Sequence, residues 1–160
     1  MRSPILGASR HAARMRGKGC FMGFVKTRRA LVVGCGEFGL AVADRLSSAG
    51  CSVVAIDKNP AAFNGLTASF GGETVVGDGA DVSVLEECEI GLASYFVACT
   101  SRDSVNYFIA RVASEVYGVE HTFARLEDAD LIDMLEDGTV EPICPHALCL
   151  EAFCRIANIG

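Results

Sequence analysis

At 160 residues, with 51% hydrophobic and 8% aromatic side chains and no Trp, the chain can seal one domain's core without disulfides or metal. Residues 1–29 hold eight of the 14 Lys and Arg and no acid, so residues 30–160 carry six basic against 20 acidic groups, a formal net charge of −14. So acidic a body argues against nucleic acid as a partner, and no window supplies the roughly 18 apolar residues of a helical membrane span.

The stretch 1–29 is Arg-rich and free of acids, and its longest apolar run is too short for a secretory signal. It reads as a disordered extension without function, with Met15 and Met22 as alternative starts. An organelle transit peptide and a basic arm for anionic lipid or nucleic acid are the other readings. The expected domain is 30–160, and the expected location is the cytoplasm.

From residue 30, β-rich runs alternate with helical stretches. "ALVVG" (30–34) reads as a strand, followed by a helix with Leu40, Val42, Ala43 and Leu46 at helical spacing and Gly50 as its C-cap. "CSVVAID" (51–57) is a second strand, and "NPAAFNGLTASFGG" opens with Asn59 as N-cap and Pro60 at the first helical position. "ETVVGD" (73–78), a short helix in "ADVSVLEECEI" and "ASYFVACT" (93–100) follow. "RDSVNYFIARVASEVYG" reads as a helix with Val105, Ile109, Val112 and Val116 along one face and Asp103 placed to cap its start. "HTFARL" (121–126), a helix closed by Gly138, "TVEPIC" and a last helix over 146–158 complete the pattern. Strands alternating with helices predict a Rossmann-like, doubly wound α/β fold: a six-stranded parallel sheet in the order 3-2-1-4-5-6.

Gly34, Gly36 and Gly39 form G-x-G-x-x-G between the first strand and the first helix, and Asp57 ends the second strand 18 residues later. In this context Gly34 permits the tight turn, Gly36 lets backbone N–H groups approach a pyrophosphate, and Gly39 allows close helix–strand packing. Asp57 can accept both hydroxyls of an adenosine ribose and would repel a 2′-phosphate, favouring NAD over NADP, although Lys58 beside it softens that preference. A degenerate unit that has kept the turn without a ligand, and a methyltransferase, are the alternatives.

The succession "VVGCGEFG", "VVAIDKNP", "VVGDGADVSVLEECEI", "YFVACTSRDSVNYFIARVASEVYG" and "TFARLEDADLIDMLEDGTVEPICP" resembles the TrkA-N family, also called RCK or KTN domains, which regulate potassium channels and transporters. The resemblance covers about residues 30–157. It implies that the loop of Gly34, Cys35, Gly36, Glu37, Phe38 and Gly39 holds the ligand phosphates. It further implies that Asp57 and Lys58 meet the ribose, that Asp78 lies beside the adenine, and that Thr100 and Ser101 line the distal half. Arg125 would reach a phosphate or a partner subunit's site. From the residues alone, Asp78 can equally form an Asx turn, and Asn106 braces a loop. Glu37 stands where many members carry a basic residue, which favours NAD, NADH or AMP over ATP, and Gly79 and Ala80 replace the usual small-residue-plus-Thr pair.

No catalytic constellation accompanies the cradle. Tyr107 and Arg111 mimic a reductase Tyr-x-x-x-Lys, but Arg is too basic for the lysine's part, and His11, His121 and His146 have no acid and nucleophile beside them. Cys35 begins a helix, where a thiol pKa can fall, but reads better as a small residue filling space. The eight cysteines contain no C-x-x-C pair; the spacing of Cys144, His146, Cys149 and Cys154 matches no common zinc pattern, and core packing is expected. The expected function is therefore an NAD(H)- or adenine-nucleotide-sensing regulatory subunit of a potassium channel or transporter, not an enzyme. NAD or NADH is the expected ligand, with AMP, ADP or ATP as alternatives. The expected partners are a separate membrane subunit and further copies of the chain, as a homodimer or a ring, using Leu148, Leu150, Phe153 and Ile156 of the last helix. The alternatives are a small NAD-dependent oxidoreductase and a dimerising scaffold with a degenerate site.

Overall fold

The first strand, β1 (Arg29–Val33), is apolar at nearly every position because both of its faces are covered. Leu31 and Val33 point into one hydrophobic cluster, and Ala30 and Val32 into another on the opposite side of the sheet. The computed structural model describes residues 27–135 and 138–159; the expectations on residues 1–26, including Met15, Met22 and His11, lie outside the described residues. β1 takes in Arg29, one residue inside the stretch read as leader.

After β1 come α1 (Glu37–Ser48), β2 (Ser52–Asp57), β3 (Glu73–Val76), α2 (Val82–Glu87), β4 (Ala93–Ala98), α3 (Asp103–Arg111), β5 (His121–Arg125), α4 (Ala129–Asp133), β6 (Glu141–Ile143) and α5 (Pro145–Ala157). All pairings are parallel, and the order is β3-β2-β1-β4-β5-β6, as predicted. Ala43 of α1, with Phe38, Val42 and Leu46, packs on the face of Ala30, Val32 and Val53. Leu85 of α2, Ile109 and Ala110 of α3, and Leu131 and Ile132 of α4 pack on the face of Leu31, Val54 and Phe96.

Three local expectations change. The crossover from β2 to β3 holds only a 3₁₀ segment, Pro60–Gly65, although Asn59 caps it by accepting the Ala61 N–H at 3.0 Å. Gly65, Gly71 and Gly72 supply no side chain to bury, so a full helix gains too little there. α3 runs into a π-helical turn, Val112–Val116, whose wider winding carries Val116 off the apolar face to 70% exposure, while Ala113, four residues after Ile109, stays in the core. Arg102, not Asp103, occupies the N-cap of α3.

The last helix departs most from core packing. Leu148, Leu150, Phe153 and Ile156 are all exposed, Ile156 at 82%, and Cys149 is exposed with them. The cysteines of this region therefore do not fill the core. Cys35, Cys88 and Cys99 do. Among the described residues no helix is long and apolar enough to cross a membrane.

Candidate functional site

Parallel strands bring their following loops to one edge of the sheet. The register aligns Val33 with Ile56 and with Ala98, so Gly34, Asp57 and Cys99 emerge side by side. The strand order reverses between β1 and β4, and a crevice opens at such a switch point. It is a cavity of about 410 Å³ whose walls include Gly34, Cys35, Gly36, Asp57, Lys58, Asp78, Thr100, Ser101 and Arg125. Glu37, Phe38 and Gly39 lie outside the lining. The Glu37 side chain faces solvent and Phe38 packs with α1, but the three residues form the first turn of α1, where backbone N–H groups have no intrahelical acceptor.

Each glycine of the loop answers a different steric demand. Gly34 has φ +98, and a Cβ on it would lie 2.6 Å from the Thr100 nitrogen. A Cβ on Gly39 would overlap the Gly34 carbonyl oxygen, so α1 could not approach β1. Gly36, the N-cap of α1, has no neighbour within 4 Å of a built Cβ and no side-chain capping bond. That space is open to a ligand, and the helix end favours an anion in it.

Asp57 braces the loops on either side of it. Its Oδ2 accepts the Cys35 N–H at 2.7 Å and its Oδ1 accepts the Asn59 N–H at 2.8 Å, so the carboxylate holds the glycine loop and the β2 exit in shape. A carboxylate has about four lone-pair sites, which leaves capacity for two ribose hydroxyls. The Cys35 N–H is already used, so among the backbone N–H groups of the loop the unengaged donors are those of the α1 turn.

The Cys35 thiol is buried and its pKa is pushed up to about 12, chiefly by burial and then by the Asp57 charge. It is not activated; it fills space, as does Cys99, whose thiol is likewise raised to about 12, first by burial.

Asp78 forms the expected Asx turn and, besides it, an ion pair. Its Oδ1 accepts the Ala80 N–H at 2.9 Å in an Asx turn, and its Oδ2 meets the Lys58 ammonium at 2.8 Å. The Lys58 bond, then the Ala80 N–H, and to a lesser degree the Arg102 charge hold its carboxyl below the usual range. Arg125 at the end of β5 pairs with Glu127 at 3.2 Å.

The wall beyond β4 is held by one buried amide. Asn106, fully buried, accepts the Thr100 N–H at 2.8 Å and the Thr100 hydroxyl at 2.7 Å. Its own Nδ2 donates to the Thr100 and Arg125 carbonyls at 3.0 and 2.9 Å, tying β4 to β5. Asp103, expected to cap α3, instead accepts the Glu127 and Asp128 N–H groups at 2.6 and 2.8 Å. Tyr107 packs against the core and Arg111 pairs with Glu115, so the reductase-like pair does not line the cavity. Arg102, which also lines the cavity, was not among the expected residues. A lone charged residue in a loop carries no periodic signal.

Charge separates this cavity from the rest of the surface. Lys58, Arg102 and Arg125 line it, half of the six basic residues in 30–160, whereas of the acids among the described residues only Asp57 and Asp78 do. A doubly wound parallel sheet with a glycine turn and a cation-lined crevice at its switch point defines a Rossmann-like domain of the nucleotide-binding class. More narrowly, the chain belongs to the TrkA-N domain family, whose model matches residues 30–144.

Among characterised relatives, the Trk system potassium uptake protein TrkA of Streptomyces coelicolor is 43% identical over 98 residues, covering 61% of this chain and 44% of that protein. The chain spans about half the length of the curated relatives it matches. Two solved structures share the fold. The NAD(P)-binding domain of an exopolyphosphatase-related protein from Archaeoglobus fulgidus has a TM-score of 0.67 at 20% identity, over 83% of this chain and 98% of that one. The AMP-bound Kef C-terminal domain of Shewanella denitrificans has a TM-score of 0.62 at 21% identity, over 81% and 82%.

Proposed function

We propose that this chain senses an adenine nucleotide and passes the occupancy of its cavity to a membrane potassium channel or transporter made by another chain. NAD or NADH is the preferred ligand; AMP, ADP and ATP are the alternatives. The observation that carries this reading is the gathering of three of six cations on a crevice whose floor is a glycine turn with an open helix end. The names of the relatives add the transport system, and the fold neighbours include one NAD(P)-binding domain and one structure bound to AMP.

In this reading the α1 turn at Glu37 and Phe38 offers N–H donors to the phosphates, with Gly34, Gly36 and Gly39 making the approach sterically open and Cys35 filling the floor. Asp57 takes the ribose hydroxyls on its remaining lone pairs and repels a 2′-phosphate, with Lys58 at its side. Asp78 lies along the base, and Thr100, Ser101 and Arg125 along the distal half. The role is binding rather than catalysis. A nucleotide then acts by favouring one of two arrangements for which its affinities differ. The exposed apolar residues of α5 provide a surface for a second copy, as a homodimer or a ring, and the partner holds the assembly at the inner face of the membrane.

The test is the melting temperature of the purified chain titrated with NAD, NADH, NADP, ADP, ATP and AMP. A ligand at 100 times its Kd adds about 2.7 kcal/mol to a native state that alone binds it. The expected result is a selective rise, absent in Asp57→Ala and weakest with NADP. Because Asp57 also braces the loop, the ligand-free melting point of the variant is measured beside it. No rise with any nucleotide would refute the sensor and leave a scaffold.

A further inference from the structure

Two of the three cations on the cavity wall are already engaged, Lys58 with Asp78 and Arg125 with Glu127. Arg102 makes no ion pair among the described residues, and its side chain is exposed. Its backbone, by contrast, is locked. The Arg102 N–H donates to the Thr100 hydroxyl at 3.2 Å, and its carbonyl accepts the Val105 and Asn106 N–H groups at 3.1 and 3.0 Å. A fixed root with an unengaged guanidinium is suited to a ligand that arrives from outside.

Topology places that root well. β4 lies between β1 and β5, so the loop carrying Arg102 stands between the glycine turn and Arg125. From the other side, its charge is felt by Asp78 in the loop after β3. Arg102 therefore lines the cavity from the exit of β4, beside the β1 exit that carries the glycine turn. The turn itself brings no cation: Glu37 is exposed, acidic and off the lining. Engaging Lys58 or Arg125 would require breaking an existing pair, whereas Arg102 can form charge-assisted bonds to phosphate without losing one.

We propose that Arg102 is the phosphate-binding cation of this cavity, closing on the nucleotide from the β4–α3 loop while Lys58 and Arg125 keep their carboxylate partners. The assignment rests on the nucleotide reading given above and adds a residue and a ligand group to it: recognition is of the phosphates, and the base and ribose are held by other residues.

The experiment is calorimetric titration of the full chain, and of Arg102→Gln, Arg102→Lys, Arg125→Gln and the charge control Arg45→Gln, with ADP, NADH and adenosine. Arg102→Gln is expected to weaken ADP and NADH about tenfold and leave adenosine unchanged, with Arg102→Lys intermediate. Arg125→Gln should weaken them less, and Arg45→Gln, on α1 away from the cavity, should not change them. Matching ligand-free melting points exclude misfolding as the cause. Unchanged ADP affinity in Arg102→Gln, or equal losses for ADP and adenosine, would overturn the assignment alone. If the unmodified chain bound neither the nucleotides nor adenosine, the nucleotide reading would fall and the assignment with it.

Discussion

Replacing Asn106 by Ala isolates the amide that joins β4 to β5 beneath the cavity. The side chain makes four hydrogen bonds, two accepted from Thr100 and two donated to the Thr100 and Arg125 carbonyls, and it has no exposure to solvent. The Thr100 hydroxyl can turn to the Arg102 carbonyl 3.3 Å away, so three groups lose their partner. At about 1 kcal/mol for each, the loss is about 3 kcal/mol out of a stability of about 5–15 kcal/mol. With an m-value of about 2 kcal/mol/M, the urea midpoint should fall by about 1.5 M. Asn106→Asp sharpens the test. Its carboxylate could still accept from Thr100 but would face two carbonyl oxygens, and burial would raise its folded pKa above the unfolded value of about 3.9. Its stability should therefore be highest below that value and fall as pH rises through the raised folded pKa. A midpoint shift under about 0.5 M for Asn106→Ala, or an Asp variant indifferent to pH, would refute this account of the network.

Two further outcomes follow from burial. At pH 8 a disulfide reagent should label exposed Cys149 quickly and Cys35 only on unfolding, since a thiol near pKa 12 is about one part in 10,000 ionised. Because the Cys35 and Cys99 pKa values are raised from 9.0 to about 12, their contribution to stability is complete below pH 9 and is lost as pH climbs towards 12; a flat alkaline limb in a denaturation series would contradict this. Light scattering should find the chain as a dimer or larger, and Leu150→Glu with Phe153→Glu should yield a folded monomer. A monomeric unmodified chain would remove the role given to α5.

The linear pattern of the chain was sufficient for the sheet. The central strands, buried on both faces, are continuous apolar runs, and the helices between strands impose parallel pairing, so six parallel strands followed from periodicity, and their order from the doubly wound fold that this alternation matches. The glycine turn was equally legible, because a Cβ on Gly39 would meet the Gly34 carbonyl oxygen five residues back and one on Gly34 would meet the exit of the neighbouring strand β4. Asp57 was found by spacing, since one short helix separates it from the turn.

Tertiary structure decided the rest. That Asp103 holds the loop 24 and 25 residues away, that Lys58 and Asp78 pair across two strand exits, and that Asn106 serves Thr100 and Arg125 together all depend on which loops the sheet sets side by side. The same is true of Arg102, an ordinary loop cation until the fold puts it on the wall of the cavity. The π-helical turn at Val112 likewise took Val116 off the buried face, a shift of winding that residue spacing does not encode. Local sterics write themselves into neighbouring residues, whereas contacts between strand exits exist only once β1, β2, β3, β4 and β5 have been ordered in space.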